Sequence, residues 1–132
     1  MAGIYPSTEG NAVPGLDGTE LGDLLDDLAG IHAGVDLLRD GLRLLALDRH
    51  TIDRTQLLAV TLAGSPDGTD ILTAIGLLAA RLLDADTNPA LRALPFDRQK
   101  NTQRHAENLL HHLNDPDLHA HASNASGAIH TD

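Results

Sequence analysis

Between Leu21 and Leu45, apolar residues recur at Leu21, Leu24, Leu28, Ile31, Val35, Leu38, Leu42 and Leu45. The steps alternate between three and four residues, the period of a helix with one covered face. This pattern predicts a single long helix over residues 20–47. Antiparallel bundles use the same spacing as a seam between two copies of a chain, so both readings stand. Leu37, Leu44 and Leu47 lie off the seam, which makes the second half of the stretch apolar almost all round. A helix of that kind is expected to be covered from more than one side.

Glycine interrupts this stretch at Gly22, Gly30, Gly34 and Gly41. Each interior glycine costs a helix roughly 0.8–1 kcal/mol relative to alanine. At about 100° per residue, Gly30, Gly34 and Gly41 fall within roughly 40° of one another. They would form a smooth strip between Leu38 and Leu45 on one side and Leu37 and Leu44 on the other. Such a strip would let another helix backbone approach closely, by analogy with small-residue contacts between membrane helices. The alternative is that each glycine accommodates a bulky neighbour inside the fold. Gly22, near the helix start, stands outside the strip.

Downstream, Ile52, Leu57, Leu58, Val60 and Leu62 support a second helix ending at Gly64, with Asp48 or Thr51 restarting the chain before it. Ser65 to Asp70, SPDGTD, is a turn by composition, with Thr69 as the expected cap of the third helix. That helix, DILTAIGLLAARLLDAD, is almost uncharged until Arg81 and is expected to be the central buried one. Pro89 can open one helical turn and Pro95 can end it. A last helix over about 97–113 is polar for two turns, with an apolar stripe of Ala106, Leu109, Leu110 and Leu113. Residues 1–18, which carry Pro6 and Pro14, read as an extended acidic arm, with Asp17 or Thr19 capping the helix that follows. Residues 114–132 read as a flexible, histidine-rich tail. The expected organisation is therefore an arm over 1–18, a helical bundle over 19–113 and a tail over 114–132.

Composition strengthens the all-α reading. The 132 residues include one Phe, one Tyr and no Trp, so Leu, Ala, Ile and Val must fill the core. Leucine and alanine favour helices, and the aromatics that favour strands are nearly missing. Charge adds a bias toward certain partners. The net charge is −10, and residues 1–28 hold six acidic side chains and no Lys or Arg. An acidic chain is a poor binder of phosphate backbones, so nucleic acid is disfavoured as a partner. The absence of cysteine excludes disulfides and thiolate chemistry. The N-terminal stretch lacks the basic region and apolar core of a secretory signal, and Asp36, Arg39, Asp40 and Arg43 break the longest apolar run. The expected location is the cytoplasm or an assembled particle, away from membranes.

Histidine is the one concentrated chemical group. His111, His112, His119, His121 and His130 fall in the last 22 residues. His105 and His112 share a helical face, as do Glu107 and His111, and imidazole with carboxylate at that spacing can hold a divalent metal. The setting is low in complexity and contains no HExxH, so adventitious binding or a pH-responsive tail accounts for it more simply. His32 and His50 have no acid, base or nucleophile at a spacing that suggests a triad. No nucleophile elbow, phosphate loop or dinucleotide fingerprint is present. No catalytic residue, cofactor or dedicated metal site is assigned. A helix-turn-helix over residues 51–84 would need a longer turn than usual and would offer only Arg81 to read bases.

The sequence thus predicts a non-enzymatic, self-associating or complex-forming subunit. Its contact surface would comprise Gly30, Gly34, Gly41, Leu37, Leu38, Leu44 and Leu45. Arms ordered by neighbouring subunits are typical of large particles, and a component of a virion such as that of a phage would fit. An acidic inhibitor that occupies a basic surface on another protein is the alternative, and a helix-turn-helix regulator a weaker one.

Overall fold

The computed structural model describes residues 12–65 and 67–129. The expected arm lies outside the described residues up to position 11. Among the described residues every regular element is helical, as the leucine- and alanine-rich composition demands. In order they are α1 (Glu20–Asp27), α2 (Ala33–Leu47), α3 (Ile52–Ala63), α4 (Ile71–Leu82), a 3-10 turn (Pro89–Ala93), α5 (Phe96–Leu113) and α6 (Pro116–Ile129). The chain divides into two units, Met1–His50 and Thr51–Asp132.

In the first unit the expected single helix over 20–47 is two helices. The break is built around Gly30, one of the glycines that interrupt the stretch. Gly30 takes φ +82°, a left-handed conformation that costs other residues roughly 1–2 kcal/mol. His32 is extended and caps α2, its Nδ1 accepting from the Gly34 N–H at 2.8 Å. Asp36, in the first turn of α2, reaches back to accept from the Gly30 N–H at 2.9 Å. The two helices are then tied across the turn. Arg39 donates through Nε to the Leu25 carbonyl at 2.6 Å, which satisfies an otherwise orphaned group near the end of α1. Arg43 bonds Asp26 at 3.3 Å. Leu25 is the fully buried side chain among the described residues of this unit.

The start of α1 is fixed by Thr19, whose hydroxyl accepts from the Gly22 N–H at 3.0 Å. Gly22 has a requirement of its own there, because a Cβ at this position would run into the Leu16 carbonyl.

In the second unit α3 packs on α4 and α6, and α4 packs on α5. Local capping sets the boundaries. Thr51 caps α3 by accepting from Arg54 N–H at 3.1 Å. Asp70, one residue beyond the expected Thr69, caps α4 by accepting from Thr73 N–H at 2.8 Å. Pro89 opens the 3-10 turn and Pro95 precedes α5. Two glycines set the closeness of packing. A Cβ on Gly64 would lie 2.7 Å from Ala122 Cβ and 2.9 Å from the Ser123 nitrogen on α6. A Cβ on Gly76 would lie 2.9 Å from Leu113 Cδ1 and 3.1 Å from Leu110 Cδ1 on α5. Ala106 of α5 is buried as well.

Two expectations change here. Residues 116–129, expected within a flexible tail, form α6 and dock antiparallel on α3. Gln56 donates to the Ser126 carbonyl at 3.0 Å, and Ser126 Oγ donates back to the Gln56 carbonyl at 3.2 Å. The apolar faces of α4 are also less covered than its composition suggested. Ile75, Leu78 and Leu82, on one stripe, are exposed, and Gly76 is the buried residue of the helix.

Candidate functional site

The residues assigned from sequence to a contact surface separate into two groups. Gly30 leaves the strip, because it belongs to the turn before α2 and shares no helical face with Gly41. Gly34 lies in the first turn of α2, where a Cβ would meet the capping ring of His32 at 3.2 Å. The rest stay together. Leu37, Gly41 and Leu44 run along one ridge of α2, four and three residues apart, with Leu38 and Leu45 beside them. Leu37 is 73% exposed, Leu44 69% and Leu38 51%, while Leu45 is half-buried. Beyond the adjoining residues and backbone of α2 itself, no atom of the described residues lies within 4 Å of where a Cβ on Gly41 would sit. Arg39 and Arg43 engage the opposite side through Leu25 and Asp26, so the ridge itself carries no cation.

A second arrangement, absent from the sequence reading, lies in the other unit around His119. This side chain is buried, and both of its ring nitrogens meet acceptors. Nδ1 lies 2.6 Å from the Ala63 carbonyl at the end of α3 and 2.9 Å from Asp70 Oδ2. Nε2 faces the Leu113 carbonyl at the end of α5. With an acceptor on each side, the doubly protonated imidazolium is the form that satisfies the site. The Leu113 carbonyl raises the His119 pKa most. Burial pulls it down, and the Ala63 carbonyl and Asp70 add to the rise, so the net shift is upward. For Asp70 burial is the largest influence and opposes ionisation. The N–H groups of Thr73 and Ser65 and the charge of His119 outweigh it, so the net shift is downward.

The turn that delivers Asp70 is itself braced. Asp67 accepts from the Ser65 hydroxyl, from the Thr69 hydroxyl at 2.6 Å and from the Thr69 N–H at 3.1 Å. These bonds hold its carboxyl down to about 2. Gly68, at φ +78°, completes the bend.

Chemically, His119 holds α6 against the ends of α3, α4 and α5. With both ring nitrogens engaged by acceptors, the ring has no free nitrogen to bind a metal or to take a proton from a nucleophile. A cleft of about 630 Å³ opens beside it, with Ser65, Thr73, Asn114, Ser123 and Asn124 in its wall. Of the histidines near the C-terminus, His111 and His112 are neighbours on α5 with ring centroids 6.0 Å apart. No group of three or more His, Asp or Glu is placed to hold a metal ion among the described residues. His50, near the end of α2, lies 2.8 Å through Nε2 from the Leu45 carbonyl. No helix among the described residues is long and apolar enough to cross a membrane.

The sign of the pH dependence follows from the two shifts. A raised imidazole pKa gives stability that is complete below the ordinary value of 6.5 and is lost as pH rises through the raised value. A lowered carboxyl pKa gives stability that is complete above 3.8 and is lost as pH falls through the lowered value. Docking of α6 is therefore expected to be strongest between those limits and to weaken on the alkaline side. Urea midpoints followed by circular dichroism should fall as pH rises through the imidazole titration, and His119→Ala should remove that slope. An unchanged slope in the variant would assign the titration elsewhere.

No family model matches this chain, and neither a curated protein nor a solved structure matches it.

Proposed function

We propose that this chain is a non-enzymatic assembly subunit that associates with copies of itself through the outer ridge of α2. The exposure of Leu37, Leu38 and Leu44 on that ridge carries this reading. Exposed leucines are ordinary when scattered, but a contiguous row of them marks a contact surface. Fully burying a leucine is favourable by about 1.5–3 kcal/mol.

Burial in the unit points the same way. Among the described residues of Met1–His50, Leu25 is the fully buried large side chain, in a chain without cysteine, so covering the ridge with a second copy adds apolar burial that the unit otherwise lacks. The stripe of Ile75, Leu78 and Leu82 on α4 offers a second apolar face, through which an assembly could extend beyond a pair, as in a particle.

The test is native mass by light scattering. Masses that are multiples of 13.9 kDa are expected for the unsubstituted protein. The double variant Leu37→Gln/Leu44→Gln should weaken association by about 100-fold or more, given the leucine burial lost from both copies. Because both side chains are exposed in the single chain, its own stability should change by no more than about 0.5 kcal/mol per substitution. A strict monomer at high concentration would remove this reading. If that monomer bound a basic partner with steep salt dependence, the acidic inhibitor would take its place.

A further inference from the structure

The sequence along the ridge is nearly the same in both directions. Residues 37–45 read LLRDGLRLL, with Gly41 at the centre. Leu37 and Leu45 lie four residues to either side of Gly41, Leu38 and Leu44 lie three, and Arg39 and Arg43 lie two. A twofold axis passing through Gly41 would therefore bring like against like. In an antiparallel pair, Leu37 of one copy meets Leu45 of the other, and Leu38 meets Leu44. Twofold contacts use the same patch on both partners and need this kind of self-complementarity.

Resting on the assembly reading above, we propose that two copies of this chain pair through antiparallel α2 helices that cross at Gly41. Three observations support the geometry. The space around Gly41 is open, so a second backbone can approach where a side chain would hold it off. Both arginines are drawn to the far side by Leu25 and Asp26, which leaves the seam without like-charged cations facing each other. The ends are complementary in charge. Antiparallel packing places Asp48, at the end of one α2, beside the first turn of the other near Gly34, where the helix carries partial positive charge. A parallel pair would set Asp48 against Asp48 and align the two helix dipoles.

Two single-cysteine variants, Leu37→Cys and Leu45→Cys, test the direction of pairing in this otherwise cysteine-free chain. In the antiparallel pair, residue 37 of one copy faces residue 45 of the other. Two copies of residue 37 are then displaced by about 12 Å along the axis, beyond disulfide reach. An oxidised mixture of the two variants should give mixed disulfide at least about tenfold in excess over the disulfide formed by either variant alone. Self-disulfide of Leu37→Cys at a yield equal to the mixed species would overturn the proposal in favour of parallel helices.

If the cysteines weaken pairing, a spin label on Arg49→Cys, outside the seam, measures the direction instead. The labels should be about 24 Å or more apart in the antiparallel pair, against about 10 Å in a parallel one. A short label distance, or a dimer of unchanged mass that gives no cross-link at either position, overturns the geometry and leaves self-association intact. A native mass of one chain for the unsubstituted protein overturns the assembly reading itself.

Discussion

Replacing Asp70 by alanine is expected to lower the unfolding free energy of the Thr51–Asp132 unit by about 3–5 kcal/mol. That is the usual cost of removing one partner of a buried ion pair. Two losses combine. The carboxylate caps α4 through the Thr73 N–H and also receives the Ser65 N–H, and loss of a cap alone costs about 1 kcal/mol. The larger loss is at His119, whose imidazolium would remain buried between the Ala63 and Leu113 carbonyls without its counter-charge. Urea unfolding by circular dichroism at pH 6 measures the change with the imidazole protonated. Asp70→Asn, which can still cap α4, should cost less than Asp70→Ala and should also flatten the alkaline slope. A near-neutral Asp70→Asn, with the loss confined to Asp70→Ala, would show that capping is the whole contribution and that the ion pair adds nothing.

The second large effect is expected at Gly64, and a comparison with Gly76 gives it meaning. Both glycines lie at close helix contacts, and at both a Cβ would come nearer than 3 Å to another atom. They differ in what stands in the way. At Gly64 the neighbours are Ala122 and the Ser123 nitrogen, part of the α6 backbone, which moves only if the helix moves. At Gly76 they are the methyl ends of Leu110 and Leu113, which can turn aside. Gly64→Ala should therefore destabilise by about 1–3 kcal/mol, as overpacking does, and should loosen α6. Gly76→Ala gains up to about 1 kcal/mol of helix propensity against a small repacking cost and should lie near neutral. Thermal melts together with amide exchange over 116–129 would check both. A neutral Gly64→Ala with α6 still protected would mean that the contact between these helices is looser than described.

Helix ends were legible in the sequence because they are local. Thr19, Thr51, Pro89 and Pro95 act on groups within a few residues, and so does Gly64 at the end of α3. The break at 28–32 was hidden by spacing. Leu28 and Ile31 continue the alternation of three and four although neither lies within α1 or α2, so the count ran straight through the turn. Gly30, His32 and Asp36 were its local signs, and the regular leucines outweighed them. Helix α6 was hidden for a different reason. Its sequence is polar and rich in small residues, and it is held by carbonyls and side chains that lie up to 70 positions away. Only the fold brings His119 to Asp70. The faces of α4 were misjudged because an apolar composition says that a helix can be covered and says nothing about which side one chain covers.

The docking of α6 on α3 also orders events during synthesis. The last turn of α3 is made at Ala63, and α6 begins at Pro116, roughly 50 residues later. At about 5–20 residues per second, some 3–10 seconds separate the two. Through that interval Gly64 and the Ala63 carbonyl wait without their partner, and α4 is the neighbour available to shelter α3. A nascent chain of this protein thus carries an open helix face until nearly all of its described length has been made.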